Sequence, residues 1–82
     1  MQFLIEVFTS RASAGKLPSI ERRLSNATGA ARFVRATYIP EDELCLFVFD
    51  APSGTDAALA ARRAGLDPIR VVAAVSSDKE ER

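Results

Sequence analysis

The stretch from Val34 to Val75 restricts the fold of this chain more than any other part of it, because each element in it is bounded by unusually clear punctuation. A strand predicted over Arg32 to Ile39 runs into Pro40-Glu41-Asp42-Glu43, a turn sequence. A second strand follows from Leu44 to Asp50, and Ala51-Pro52-Ser53-Gly54 stops it. Ser53, with Asp56 three residues on, has the spacing of a capping box, aspartate standing for the usual glutamate. The alanine-rich segment behind it predicts a helix through Ala64, and Gly65 suits the position just past its end. Leu66-Asp67-Pro68 then leads to a last strand, Ile69 to Ser76.

Upstream, Phe3, Ile5 and Val7 alternate with Leu4, Glu6 and Phe8, which predicts a strand over Gln2 to Thr9. Ser10 to Lys16 reads as a loop of small and basic residues. Pro18 fits a first helical turn, where its missing N–H costs nothing. Leu17, Ile20, Leu24 and Ala27 fall on one stripe of a helix that Thr28 and Gly29 end. The order is βαββαβ, the split βαβ arrangement of ferredoxin-like folds. The expected architecture is α+β: one antiparallel sheet in the order 4-1-3-2, with both helices on one face.

The chain of 82 residues predicts a single domain over 1–76 with a polar, frayed tail over 77–82. A domain this small rarely draws more than ~3–5 kcal/mol from its core alone, and oligomerisation is a common remedy. Eleven basic residues balance eleven acidic ones, so nothing favours nucleic acid as a partner. One cysteine, Cys45, allows no internal disulfide, and there is no histidine to build a zinc site. The N-terminus has no positive n-region and no apolar run has transmembrane length, which together predict a soluble, cytoplasmic protein without membrane partners.

A four-residue turn at 40–43 sets Ile39 against Leu44, Tyr38 against Cys45, Ala36 against Phe47 and Val34 against Phe49. With the first and third strands central, the expected helix-covered face holds Phe3, Ile5, Val7, Leu44, Leu46, Val48, Ile69, Val71, Ala73 and Val75. The other face then carries Leu4, Glu6, Phe8, Val34, Ala36, Tyr38, Cys45, Phe47, Phe49, Arg70, Val72 and Ala74. That set is too apolar to stay wet. It predicts a homodimer through the open face, with Leu4, Phe8, Phe47, Phe49 and Val72 in the seam.

Candidate chemistry is sparse. Glu6 and Arg70, on neighbouring strands of the open face, are expected to meet, either as a ligand-binding pair or as an ion pair that lets charge sit in an interface. Tyr38 and Cys45 complete the candidate ligand-binding set, as a pocket wall or as groups at the dimer seam. Cys45 has no histidine to activate it and reads as a small hydrophobe, so no catalytic residue is assigned. Glu41, Asp42 and Glu43 lack the alternation and glycine of a calcium loop, and the Arg22-Arg23 and Arg62-Arg63 pairs read as solvated charge. Phe47 and Phe49 alternate as stacking rings of an RNA-binding sheet do, but without that module's flanking basic residues and glycine.

Several segments together resemble one family: Val34-Arg35, the run Tyr38 to Cys45 through the Pro-Glu-Asp-Glu turn, Phe49-Asp50-Ala51-Pro52-Ser53, Ala61 to Leu66 and Arg70-Val71. Glu6 matches that family's mid-strand glutamate. It is a family of small bacterial ferredoxin-like proteins of unknown function that includes a nickel-binding protein, and the resemblance spans about residues 3–75. It implies a ferredoxin-like, dimeric protein with Glu6, Asp42 and Cys45 at motif positions. The family's metal-binding branch is expected to use histidines; this chain has none, so no metal ligand and no cofactor is assigned. The leading expectation is a non-enzymatic dimeric ligand-binding or accessory protein. The alternatives are a small enzyme of the dimeric α/β-barrel type, such as a cofactor-free oxygenase or isomerase, a nickel-binding protein, and a structural interaction module.

Overall fold

In a computed structural model, which describes residues 1–75, every expected strand and helix is present. They are β1 (Gln2–Phe8), α1 (Leu17–Asn26), β2 (Arg32–Ile39), β3 (Leu44–Asp50), α2 (Gly54–Arg63) and β4 (Pro68–Ala74). The expected loop between β1 and α1 is instead a 3₁₀ helix, Arg11–Lys16, whose N-cap Ser10 accepts from the Ser13 N–H through its hydroxyl. β4 ends at Ala74, short of the expected Ser76; that residue and the tail expected over 77–82 lie outside the described residues.

The four strands form one antiparallel sheet in the order β2-β3-β1-β4, which is the expected 4-1-3-2 read from the other edge. Ser53 caps α2: its hydroxyl accepts from the Asp56 N–H at 3.2 Å and donates to the Asp56 carboxylate at 2.9 Å. Gly65 takes φ 88°, the left-handed conformation that ends α2, and the Leu66 N–H closes back on the Ala61 carbonyl.

Both helices lie on one side of the sheet, but the side chains facing them on β3 are the opposite set from that expected. The register pairs Ile5 with Phe47, Phe3 with Phe49 and Val7 with Cys45, so these six residues share the helix-covered face. Phe47 and Cys45 are 0% exposed and Phe49 is 1% exposed. Leu44, Leu46 and Val48 therefore face away from the helices. Volume is consistent with the choice: Phe47 and Phe49 share one buried cluster with Leu17 and Leu24 of α1 and the small Ala57 and Ala61 of α2, and large rings fill space that alanines leave. Ala36 and Tyr38, paired with Phe47 and Cys45 as expected, follow them onto the helix-covered face.

Two bulges on the edge strands alter the rest of the expected register. In β2 the pairing passes from Phe33–Phe49 to Arg35–Val48, leaving Val34 as the extra residue. Phe33, not Val34, thus opposes Phe49, and its ring meets Phe49 edge-on at 5.7 Å and Phe47 at 6.4 Å. In β4 the pairing jumps from Glu6–Arg70 to Val7–Pro68, and Ile69, expected in the core, is the displaced residue and 62% exposed.

Candidate functional site

The sheet face away from the helices carries Leu4, Glu6 and Phe8 from β1, Arg35, Thr37 and Ile39 from β2, Leu44, Leu46 and Val48 from β3, and Arg70 and Val72 from β4. Val48 is nearly buried, being central and flanked in register by Leu4 and Arg35. Phe8, at the end of β1, is 60% exposed. Around Phe8, Leu44 and Ile39 the face is apolar throughout.

Glu6 and Arg70 are brought together as the strand pairing dictates. Their Oε2 and Nη1 atoms lie 3.8 Å apart, with Glu6 largely covered and Arg70 largely exposed. On the same face a second ion pair, Arg32 to Asp50 at 3.3 Å, sits at the far end of the strands. The Met1 ammonium at 2.9 Å, and then Arg32, hold the Asp50 carboxyl below the usual carboxylate range.

Tyr38 and Cys45 are not part of this face. Strand alternation puts them on the other side of the sheet from Glu6 and Arg70, so the four-residue candidate set divides into two pairs. The Tyr38 hydroxyl donates to the Thr9 carbonyl at 2.9 Å, which ties β2 to the end of β1. Burial, and then the nearby Glu21 carboxylate, push the Cys45 thiol up to about 11, against the pull of a hydrogen bond from the Leu46 backbone. It is therefore a protonated packing group at neutral pH. Of the residues expected at the dimer seam, Leu4, Phe8 and Val72 lie on the open face, whereas Phe47 and Phe49 belong to the core. Leu44, Leu46, Val48 and Arg35 are on the open face instead. β3 is apolar at nearly every position, so alternation alone does not reveal which of its faces looks inward.

The donors at the family's motif positions do not converge either. Glu6 is mid-sheet on the open face, Cys45 is buried on the covered face, and Asp42 is exposed in the 40–43 turn. Among the described residues no three His, Cys, Asp or Glu side chains come together as a metal site would require. Glu43 is engaged elsewhere, its Oε2 accepting from the Arg11 backbone N–H at 3.0 Å. No family model matches this chain, and no curated protein or solved structure is significantly similar to it.

Proposed function

We propose that this chain is a ferredoxin-like, homodimeric binding or accessory protein of the cytoplasm, where a lone thiol stays reduced. Its interface is the open sheet face, which encloses the Glu6–Arg70 pair. One observation carries the reading: a continuous apolar surface, Leu4, Phe8, Ile39, Leu44, Leu46 and Val72, lies on a sheet face with no helix over it. Patches of this kind mark interfaces or ligand grooves. A second copy suits it because both acidic groups of the face are paired within it, Glu6 with Arg70 and Asp50 with Arg32, and the further cation, Arg35, is on the edge strand β2 rather than at the centre.

Binding is favoured over catalysis because Tyr38 and Cys45 are on the covered side, leaving Glu6, Arg70, Arg35 and Thr37 as the polar groups around the middle of the open face. The proposed membership of the resembled family extends to fold and assembly and not to nickel, whose donors stand apart here. Isothermal titration of tag-free protein with nickel should give no stoichiometric submicromolar site; a site lost in Cys45→Ser or Glu6→Gln would reverse that exclusion. Sedimentation of the unmodified chain at micromolar concentration should give a dimer, and Leu46→Asp a folded monomer. A well-folded monomer for the unmodified chain would sink the assembly.

A further inference from the structure

On the side of the sheet opposite the open face, the two helices leave a concavity between them. α1 packs against β2, and α2 against β4 and β1, so the helices make little contact with each other. The cavity between them measures about 220 Å³. Its floor includes Leu24 of α1 and Phe49 of β3, and the segment 27–31 walls one side. The other wall is Asp56, Leu59, Ala60 and Arg63 of α2. Those four fall at i, i+3, i+4 and i+7, a single helical stripe. Asp56 and Arg63 thus stand about 10 Å apart along the helix axis. Opposite charges occupy the two ends of the groove, with apolar surface between.

Neither charge is in an ion pair among the described residues, where the pairs are Met1–Asp50, Arg11–Glu43, Arg32–Asp50 and Glu6–Arg70. Asp56 receives the Ser53 hydroxyl on Oδ2, which leaves Oδ1 for a ligand. Arg63, whose sequence reads as solvated charge, lines the groove from the last turn of α2, and its side chain is long enough to reach back toward Asp56, the direction helical side chains favour.

We propose that this interhelical groove binds a free apolar amino acid, with its ammonium on Asp56, its carboxylate on Arg63 and its side chain against Leu24, Phe49 and Leu59. Charge selects the class: a simple anion would meet Asp56 and a simple cation would meet Arg63, whereas a zwitterion satisfies both. Size selects a single amino acid over a peptide, since the cavity has room for about seven waters and is smaller than drug-sized sites. The apolar floor selects the side chain. The site goes beyond the dimer reading and needs no second copy, being on the other side of the sheet.

The test is a nuclear magnetic resonance titration of the isotope-labelled full chain with L-leucine and, separately, L-phenylalanine. At least one should produce saturable shifts confined to residues 24–31, Phe49 and residues 56–63. Phenylpropionate and phenethylamine, each lacking one of the two charges, should bind at least about tenfold more weakly. Arg63→Gln, at an exposed position in the last turn of α2, should weaken binding by about the same factor with the spectrum otherwise native. Ala60→Leu keeps both charges but fills the groove, and should abolish binding. Absence of saturable shifts with both amino acids, shifts on the open sheet face instead, or single-charge analogues binding as tightly as the zwitterions would each overturn the proposal. The titration reads the groove whether or not the chain dimerises, so its failure is distinct from failure of the dimer.

Discussion

Cys45 is held in the core opposite Tyr38 on one neighbouring strand and Val7 on the other, and its thiol keeps its proton far into the alkaline range. The unfolded thiol ionises near 9.0 and the folded one near about 11. Between those values the unfolded chain has lost a proton that the native state retains. The stability from this group is therefore complete below pH 9.0 and declines as pH rises toward about 11, by at most about 2–3 kcal/mol. Cys45→Ala should start about 1 kcal/mol less stable through lost packing, and thermal melts should show the gap closing and then reversing in sign between pH 9.0 and 11. Native protein should also resist alkylation except at the rate at which it opens; fast alkylation at neutral pH would contradict the burial. Glu43 is a second residue whose conformation matters, with φ 51° in the left-handed region. Its carbonyl accepts from the Thr9 N–H at 2.8 Å and its carboxylate from the Arg11 N–H, fastening the hairpin to the chain that leaves β1. Alanine there loses the carboxylate and keeps the strain, whereas glycine loses the carboxylate and relieves it. Glu43→Gly should thus be more stable than Glu43→Ala by about 1 kcal/mol, as chemical denaturation would measure.

At the scale of the elements, β3 carries the sharpest contrast between neighbours. Phe47→Ala removes a fully buried ring from the core cluster that both helices share, and should cost about 3–5 kcal/mol. Leu46→Ala, one residue away and on the uncovered face, should change the stability of the monomer far less; denaturation of both variants under monomeric conditions checks the face assignment, and equal losses would refute it. This strand also shows what was legible in the sequence. Pro40 to Glu43, Ser53 and Gly65 have local chemistry that fixes where elements begin and end, and the element order with its strand pairing follows from them. The inward face of β3 was not legible, because Leu44-Cys45-Leu46-Phe47-Val48-Phe49 has no polar member to mark the outside. The deciding influence was nonlocal: the face of β3 that joins the core is the one whose side chains fill the space left under both helices. The bulges at Val34 and Ile69 were hidden for a related reason, since an extra residue leaves no compositional mark. Of the candidate site, the Glu6–Arg70 contact followed from strand adjacency, while its expected neighbours Tyr38 and Cys45 inherited the wrong parity of β3.

For the whole molecule, the proposed closing of the uncovered sheet face by a second copy would link folding to association. A chain this small has a limited core, and part of its apolar surface is on the side that the helices do not reach. If a second copy covers that side, the native state is a dimer and mass action stabilises it, so the melting temperature must rise with protein concentration. The unmodified chain should melt several degrees higher when its concentration is raised a hundredfold, a change that corresponds to about 2.7 kcal/mol of linkage. Leu46→Asp introduces a charge at the middle of the face, where a dimer would bury it unpaired. That variant should melt at a temperature independent of concentration, and at the lower limit approached by the dilute unmodified protein. Phe47→Asp is uninformative in this respect, because a charge in the core unfolds the monomer itself. The comparison separates the two faces of β3: its Phe47 face holds one chain together, and its Leu46 face is the one proposed to join two. A melting temperature that stays constant with dilution in the unmodified chain would mean that this face is not closed by a second copy.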